Sequence, residues 1–466
     1  MSKRSYKKGF AIIAGAAALA VGGLYLYAQA ATETRDIGAA PAPASAAAGN
    51  AAEQHALVES GRYVALASDC IACHTAPGGK PFAGGLSMAT PIGAIYSSNI
   101  TPDRNSGIGN YTLNDFDRAV RHGITPDGGT LYPAMPYPSY ARMSDQDLRA
   151  LYVYFMQGVE PAQAVNRRSD IIWPLSIRWP LGIWRKAFAP DVPAGPLDAS
   201  RYANASIARG AYLVQSLGHC GSCHTPRAAT LQELSLDDTQ VSYLSGGPVI
   251  DGWFAVNLRG NNAAGLGRWS VQDIADTLRG ARNAKSAVIG APMAEVVTHS
   301  MQNLTEPDLQ AVAAYLKTLS ADPAEKARFA PDGATAKALM AGTESGRGAQ
   351  LYLDNCAACH RTSGEGATKV FPALAGNPSV LAADPASLIR LVLAGSNLPS
   401  THSAPSNLGM PGFGWRLSDE ETAQLLTFIR QSWGNSASAA SADEVGKIRN
   451  VLTAAERSSA GLDQPH

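Results

Sequence analysis

Cysteine is scarce and never solitary in this sequence: six among 466 residues, all in pairs with two residues between them. None is left over for a disulfide, an independent zinc site or a thiol nucleophile. Charge is scarce too. Only 16% of residues are Asp, Glu, Lys or Arg, and the signs balance at 38 each, so no basic face points to nucleic acid. A Gly-x-Gly-x-x-Gly turn opening a helix after a strand is missing, as are a phosphate loop and a nucleophile elbow. Nothing in the sequence therefore marks a two-electron cofactor site.

What is present is one motif in three copies: Cys70-Ile71-Ala72-Cys73-His74, Cys220-Gly221-Ser222-Cys223-His224 and Cys356-Ala357-Ala358-Cys359-His360. Cys-x-x-Cys-His is the attachment signature of a c-type haem. The two thiols form thioethers to the haem vinyl groups, and the adjacent imidazole reaches the iron as proximal ligand. A thioredoxin-like pair or half of a zinc site would leave three trailing histidines as coincidence. The sequence thus predicts three covalently bound haem c groups, attached through Cys70, Cys73, Cys220, Cys223, Cys356 and Cys359, with His74, His224 and His360 on the iron.

The chain length suits about three domains, and the surroundings of the motifs repeat. Each motif follows a short amphipathic helix, beginning at Gly61, Gly210 and Gly348. Each precedes a Gly/Pro-rich loop and a second helical stretch, at 112–121, 270–279 and 385–393. Each unit closes with a helix opened by Ser144-x-x-Asp147, Thr305-x-x-Asp308 or Ser418-x-x-Glu421. Apolar residues recur there at three- and four-residue steps: Leu148/Leu151/Tyr152/Phe155, Leu309/Val312/Tyr315/Leu316 and Ala423/Leu426/Phe428/Ile429. The expected fold is all-α: three tandem domains resembling the class I cytochrome c fold, at 51–165, 206–322 and 343–435. Between them lie a Trp/Pro-rich linker at 166–205 and a linker at 323–342, with a C-terminal tail at 436–466.

An electron-transfer haem fills its sixth iron position, and a Met sulfur there raises the potential. Each unit has a Met beside Pro before its closing helix: Met135, Met293 and Met410. A lone Met is more often core filler, but three in register point to axial ligands. Met143 and Met301, nearer the closing helices, are expected as core contacts. His122, His299 and His402 have no counterparts in the other units and are expected at the surface or in hydrogen bonds.

Before the first unit, Lys3, Arg4, Lys7 and Lys8 precede an uncharged run from Gly9 to Ala31. Ala28-Gln29-Ala30 completes a secretory signal, yet the run is also long enough to span a bilayer. A cleaved signal and a retained signal-anchor helix over 1–31 both fit, and either exports the chain. Residues 32–50, rich in Ala, Pro and Ser, read as a flexible linker. The stretch from Asp170 to Lys186 holds three of the seven tryptophans, Trp173, Trp179 and Trp184. It reads either as a strap between domains or as a docking surface for a partner or the membrane interface.

With these residues in place, the chain resembles the cytochrome c subunits of the membrane-bound dehydrogenases of acetic acid bacteria and their relatives. The family includes alcohol, gluconate, sorbitol, fructose and aldehyde dehydrogenase complexes. The likeness rests on Pro91–Asp103, Tyr132–Ser139, Trp173–Trp184, Leu266–Ser270 and Phe371–Asn377, and it covers roughly residues 55–435. The resemblance implies an electron-transfer subunit at the periplasmic face of the cytoplasmic membrane, passing electrons from a separate catalytic subunit to ubiquinone. The long apolar run looks more like an anchor than the short signal of the alcohol dehydrogenase subunit. Two other readings use the same haems: a free periplasmic shuttle to a terminal oxidase, and a haem enzyme with one iron left open.

Overall fold

The computed structural model describes residues 3–30, 32, 34–38, 48–192, 197–250, 252–285, 290–323, 325, 328–459 and 462, with backbone alone at 3–14, 48–50 and 291. The expected linker at 32–50 lies outside them over 39–47, and its last three residues already belong to a helix. The chain divides into two compact units: residues 1–65 with 73–197, and residues 66–72 with 198–466.

Both are built mainly from helices, as the patterning implies. Helix Ala48–Ala67 leads to the one-turn helix Cys70–Cys73; helices Leu113–His122 and Asp145–Val153 follow. The same succession appears as Ala205–Tyr212, Gly221–His224, Val271–Gly280 and Glu306–Thr318, and again as Arg347–Asn355, Ala357–His360, Ala386–Ala394 and Asp419–Gln431. The expected caps form at all three closing helices. Ser144 accepts from the Asp147 N–H, Thr305 from Asp308 and Ser418 from Glu421, relieving amides that have no partner within the helix. Only Glu421 completes the reciprocal capping box. Asp308 turns instead to Arg209, with both oxygens within 2.9 Å.

The closing helices cross the leading helices at one glycine each. A Cβ at Gly61 would overlap the carbonyl oxygen of Ala150, one at Gly210 that of Ala311, and one at Gly348 that of Gln424. Four residues beyond each carbonyl stands an aromatic ring, Tyr154, Tyr315 or Phe428, packed on the same glycine. Hydrogen at this position is what lets the two helix backbones touch. Most of the expected apolar faces turn inward: Leu148, Leu309, Tyr315 and Leu426 are at most 1% exposed.

Three small antiparallel sheets go beyond the sequence expectation. Ser87–Thr90, Gly93–Tyr96 and Asp170–Ile171 form one, with Ala94 opposite Asp170. Val249–Ile250 pairs with Trp253–Phe254, and Ser396–Asn397 with Gly409–Met410. Pairs this short leave no alternating pattern to read.

The residues expected as a C-terminal tail also fold. Ala442–Asn450, capped by Ser441 with a full capping box, and Ala454–Ser459 are helices, and Val445 and Leu452 enter the same core as Trp433 and Leu426. Glu456 holds the buried Arg390 guanidinium at 2.6 Å and accepts from the Thr453 N–H and hydroxyl. Burial raises the Glu456 pKa, but these bonds outweigh it and bring it below its ordinary 4.5. A depressed folded pKa means stabilisation is present above pH 4.5 and fades as pH falls through the folded value. Relative to the intrinsic exchange rate at each pH, the protection of amides at 453–459 should therefore fall about tenfold on acidification, a charged hydrogen bond being worth about 1.5 kcal/mol. Glu456→Gln should show the lower protection already at neutral pH, with little further change in acid.

The N-terminal segment from Lys3 to Gln29 is a single helix. Among the described residues, no helix is long and apolar enough to cross a membrane.

Candidate haem sites

Each Cys-x-x-Cys-His sequence is built on a four-residue helix, Cys70–Cys73, Gly221–His224 or Ala357–His360, with His74, Cys220 or Cys356 as the residue adjoining its end. Behind each turn, a loop returns to the imidazole. His74 Nδ1 lies 2.7 Å from the carbonyl oxygen of Ser98, His224 Nδ1 2.7 Å from that of Val256, and His360 Nδ1 2.9 Å from that of Pro372. A carbonyl can only accept, so each Nδ1 carries the proton and each Nε2 keeps its lone pair for a metal. Burial pushes all three imidazoles below their ordinary pKa, and the carbonyl bond only partly offsets this. The rings are neutral at neutral pH, as an iron ligand must be.

A second backbone contact repeats with the first. The N–H groups of Gly84, Gly246 and Gly366 donate to the carbonyls of His74, His224 and His360 at 2.7, 2.9 and 3.2 Å. All three glycines have positive φ, at 72°, 104° and 63°, which a side chain would resist. In two copies the residue after the histidine adds a further tie: Thr75 Oγ1 accepts from Phe82 N–H, and Thr225 Oγ1 from Leu244 N–H. Arg361 stands at that place in the third copy, at φ 61°.

The six cysteines and three histidines thus fit covalent haem: paired thiols on one turn, with an oriented, neutral imidazole next to them. Bound there, haem c supplies one-electron redox chemistry through its iron. The carbonyls that orient the histidines escaped the sequence reading because any residue type supplies a backbone carbonyl.

The methionines occupy less uniform settings. Met135 sits half-buried in a turn whose N–H donates to Tyr132 O at 3.1 Å. Met293 lies in the first turn of helix Ala291–His299, and Met410 in the short strand Gly409–Met410, packed against the surrounding core. Met143 and Met301 are buried, 2% and 5% exposed. His122 faces Asp117 at 3.6 Å, His299 pairs with Glu295 at 3.0 Å, and His402 is exposed.

The tryptophan segment divides in two. Trp173 is 81% exposed, among exposed Ile172, Leu175 and Ile177. Trp179 packs edge-on against Tyr25, and Trp184 against Tyr137 and Phe188.

Residues 345–433, the third motif with its helices, match the cytochrome c family. Over 402 residues the chain is 52% identical to the gluconate 2-dehydrogenase cytochrome c subunit of Pantoea cypripedii, spanning 85% of this chain and 90% of that one. The chain belongs to this family of dehydrogenase cytochrome c subunits. The cytochrome c subunit of alcohol dehydrogenase (quinone) from Gluconobacter oxydans is 50% identical over 408 residues, 87% of this subunit and 84% of the relative. The fructose dehydrogenase cytochrome subunit of Gluconobacter japonicus is 37% identical over 429 residues, covering 88% and 84%. As a member of the family, the subunit carries covalently bound haem c and serves electron transfer.

Proposed function

We propose that this cytochrome c subunit carries three haems and relays electrons from a periplasmic dehydrogenase catalytic subunit to ubiquinone in the cytoplasmic membrane. The threefold recurrence of one arrangement carries the reading: a helical Cys-x-x-Cys-His turn, an imidazole fixed through Nδ1, and a glycine crossing between leading and closing helices. Each domain, at 51–165, 206–322 and 343–435, then holds one haem c through its two cysteines. His74 with Met135, His224 with Met293 and His360 with Met410 close the iron shells. A substrate oxidised by two electrons leaves them one at a time on such sites, and three in succession let one electron depart while another is held. The quinone in the name of the Gluconobacter oxydans relative supports ubiquinone as acceptor. The support for retention at the periplasmic face of the membrane is the sequence itself, four basic residues followed by the uncharged run from Gly9 to Ala31.

The purified haem-loaded subunit should be reduced by dithionite but by no alcohol, aldehyde or sugar acid. With its catalytic subunit restored, substrate should reduce a short-chain quinone. Replacing residues 1–31 by a cleavable export signal should preserve haem reduction and weaken membrane retention. Substrate-driven reduction of the isolated subunit would overturn the relay and make this chain an enzyme.

A further inference from the structure

Within the first unit, the C-terminal end of the N-terminal helix rests on helix Pro180–Phe188. Lys186 Nζ donates to the carbonyls of Tyr27 and Ala30 and lies 4.6 Å from the Tyr27 ring centre. Tyr27 lies in the last turn of the helix and Ala30 just past its end, where a cation also meets the negative end of the dipole. Gly182 packs so closely that a Cβ there would come within 2.6 Å of Ala28 O.

Beside this junction opens a cavity of about 560 Å³, lined by the cations Arg35, Arg121, Arg185 and Lys186 together with His122. Asp117 and Asp191 are the carboxylates of its wall. Arg121 is taken up by Asp117 and Asp145, and Arg35 by Asp145 at 2.8 Å. Arg185 is different. It is only 7% exposed, its Nη2 donates to Thr32 Oγ1 at 2.6 Å, and its Nε has no partner. Among the described residues no carboxylate pairs with Arg185 or Lys186. A buried guanidinium normally finds an anion, because leaving it uncompensated is costly. The segment leading into this helix carries Ile172, Trp173, Leu175 and Ile177 on its surface, 42–81% exposed. Apolar and Trp side chains before a basic pocket match the layering of a membrane interface.

We propose that this cavity binds the phosphate of an anionic phospholipid head group, with Arg185 as its principal ligand and Lys186 as support. The guanidinium offers the fork of N–H donors that a phosphate accepts. The inference rests on the reading of the N-terminal helix as a retained anchor, which puts the cavity at head-group depth.

The test is flotation of the haem-loaded, full-length protein with vesicles of phosphatidylcholine, without and with phosphatidylglycerol; haem content reports folding of each variant. Wild type should bind both kinds of vesicle, the phosphatidylglycerol ones several-fold more tightly. Arg185→Gln should lose about fivefold of that affinity, the factor one basic side chain carries at an anionic surface. Arg185→Lys should keep part of it, and Arg178→Gln, on the exposed side of the segment, nearly all. Equal affinity of wild type for both vesicles overturns the site. Equal losses in the Arg178 and Arg185 variants assign the preference to diffuse surface charge and overturn it as well. Competition by inorganic phosphate would show a free-anion site in place of a lipid one. An unchanged lipid preference with a shifted first-haem potential in Arg185→Gln would assign the guanidinium to that haem instead. Failure of wild type to hold phosphatidylcholine vesicles overturns the anchor, and with it the lipid as source.

Discussion

Met410→Leu should lower the potential of the third haem and abolish its weak near-infrared sulfur-to-iron band. Thioether sulfur favours the reduced iron, and axial ligands set potentials over about 0.8 V, so a shift on the order of 0.2 V is expected. Leu keeps the apolar volume, so the strand pairing of Gly409–Met410 with Ser396–Asn397 should survive. Spectroelectrochemical titration should then show one haem displaced and the others unmoved. The open iron should also bind carbon monoxide after reduction, which a closed shell resists. An unchanged third-haem spectrum and potential would remove Met410 from the iron, and the same experiment applies to Met135 and Met293.

Gly210→Val should abolish the haem yield of its domain, with Gly348→Val as the parallel case. Any side chain at Gly210 must displace the backbone of Ala311, so the helices have to separate along their contact. Overpacking on this scale costs about 3 kcal/mol or more, a large share of the stability of a domain of this size. Absorbance of the exported protein, normalised to protein, reads the loss. Gly333→Val, whose Cβ would meet open space, is the control and should leave yield intact. Normal haem yield in Gly210→Val would mean that this crossing is dispensable.

The haem chemistry was legible because it depends on side chains at fixed spacing: six cysteines and three histidines cannot be hidden. The closing helices were legible from Ser144, Thr305 and Ser418 together with their apolar steps. The glycines of the leading helices were visible as residues and read as helix starts, but Gly61 and Gly210 lie well inside Ala48–Ala67 and Ala205–Tyr212, and their reason was not visible. Spacing along one helix does not disclose that another backbone lies against it. The helices after residue 436 were missed because Ser, Ala and single charges dominate there, and only Val445 and Leu452 mark the inward side. Arg185 looked like one of several surface charges in a tryptophan-rich stretch. Its burial follows from the docking of a helix more than 150 residues earlier.

The loops that fix the histidines differ in length: 24 residues from His74 to Ser98, 32 from His224 to Val256, and only 12 from His360 to Pro372. The shortest lacks a hairpin and relies on the single bridge between Ala367 and Phe371. Closing a chain of 12 rather than 32 residues saves about 0.9 kcal/mol of entropy. In a chain still without haem, the last motif to emerge from export is therefore the one whose imidazole is easiest to hold in place. The motif synthesised last is thus the readiest for its cofactor, and the middle one, behind the longest loop, the least ready.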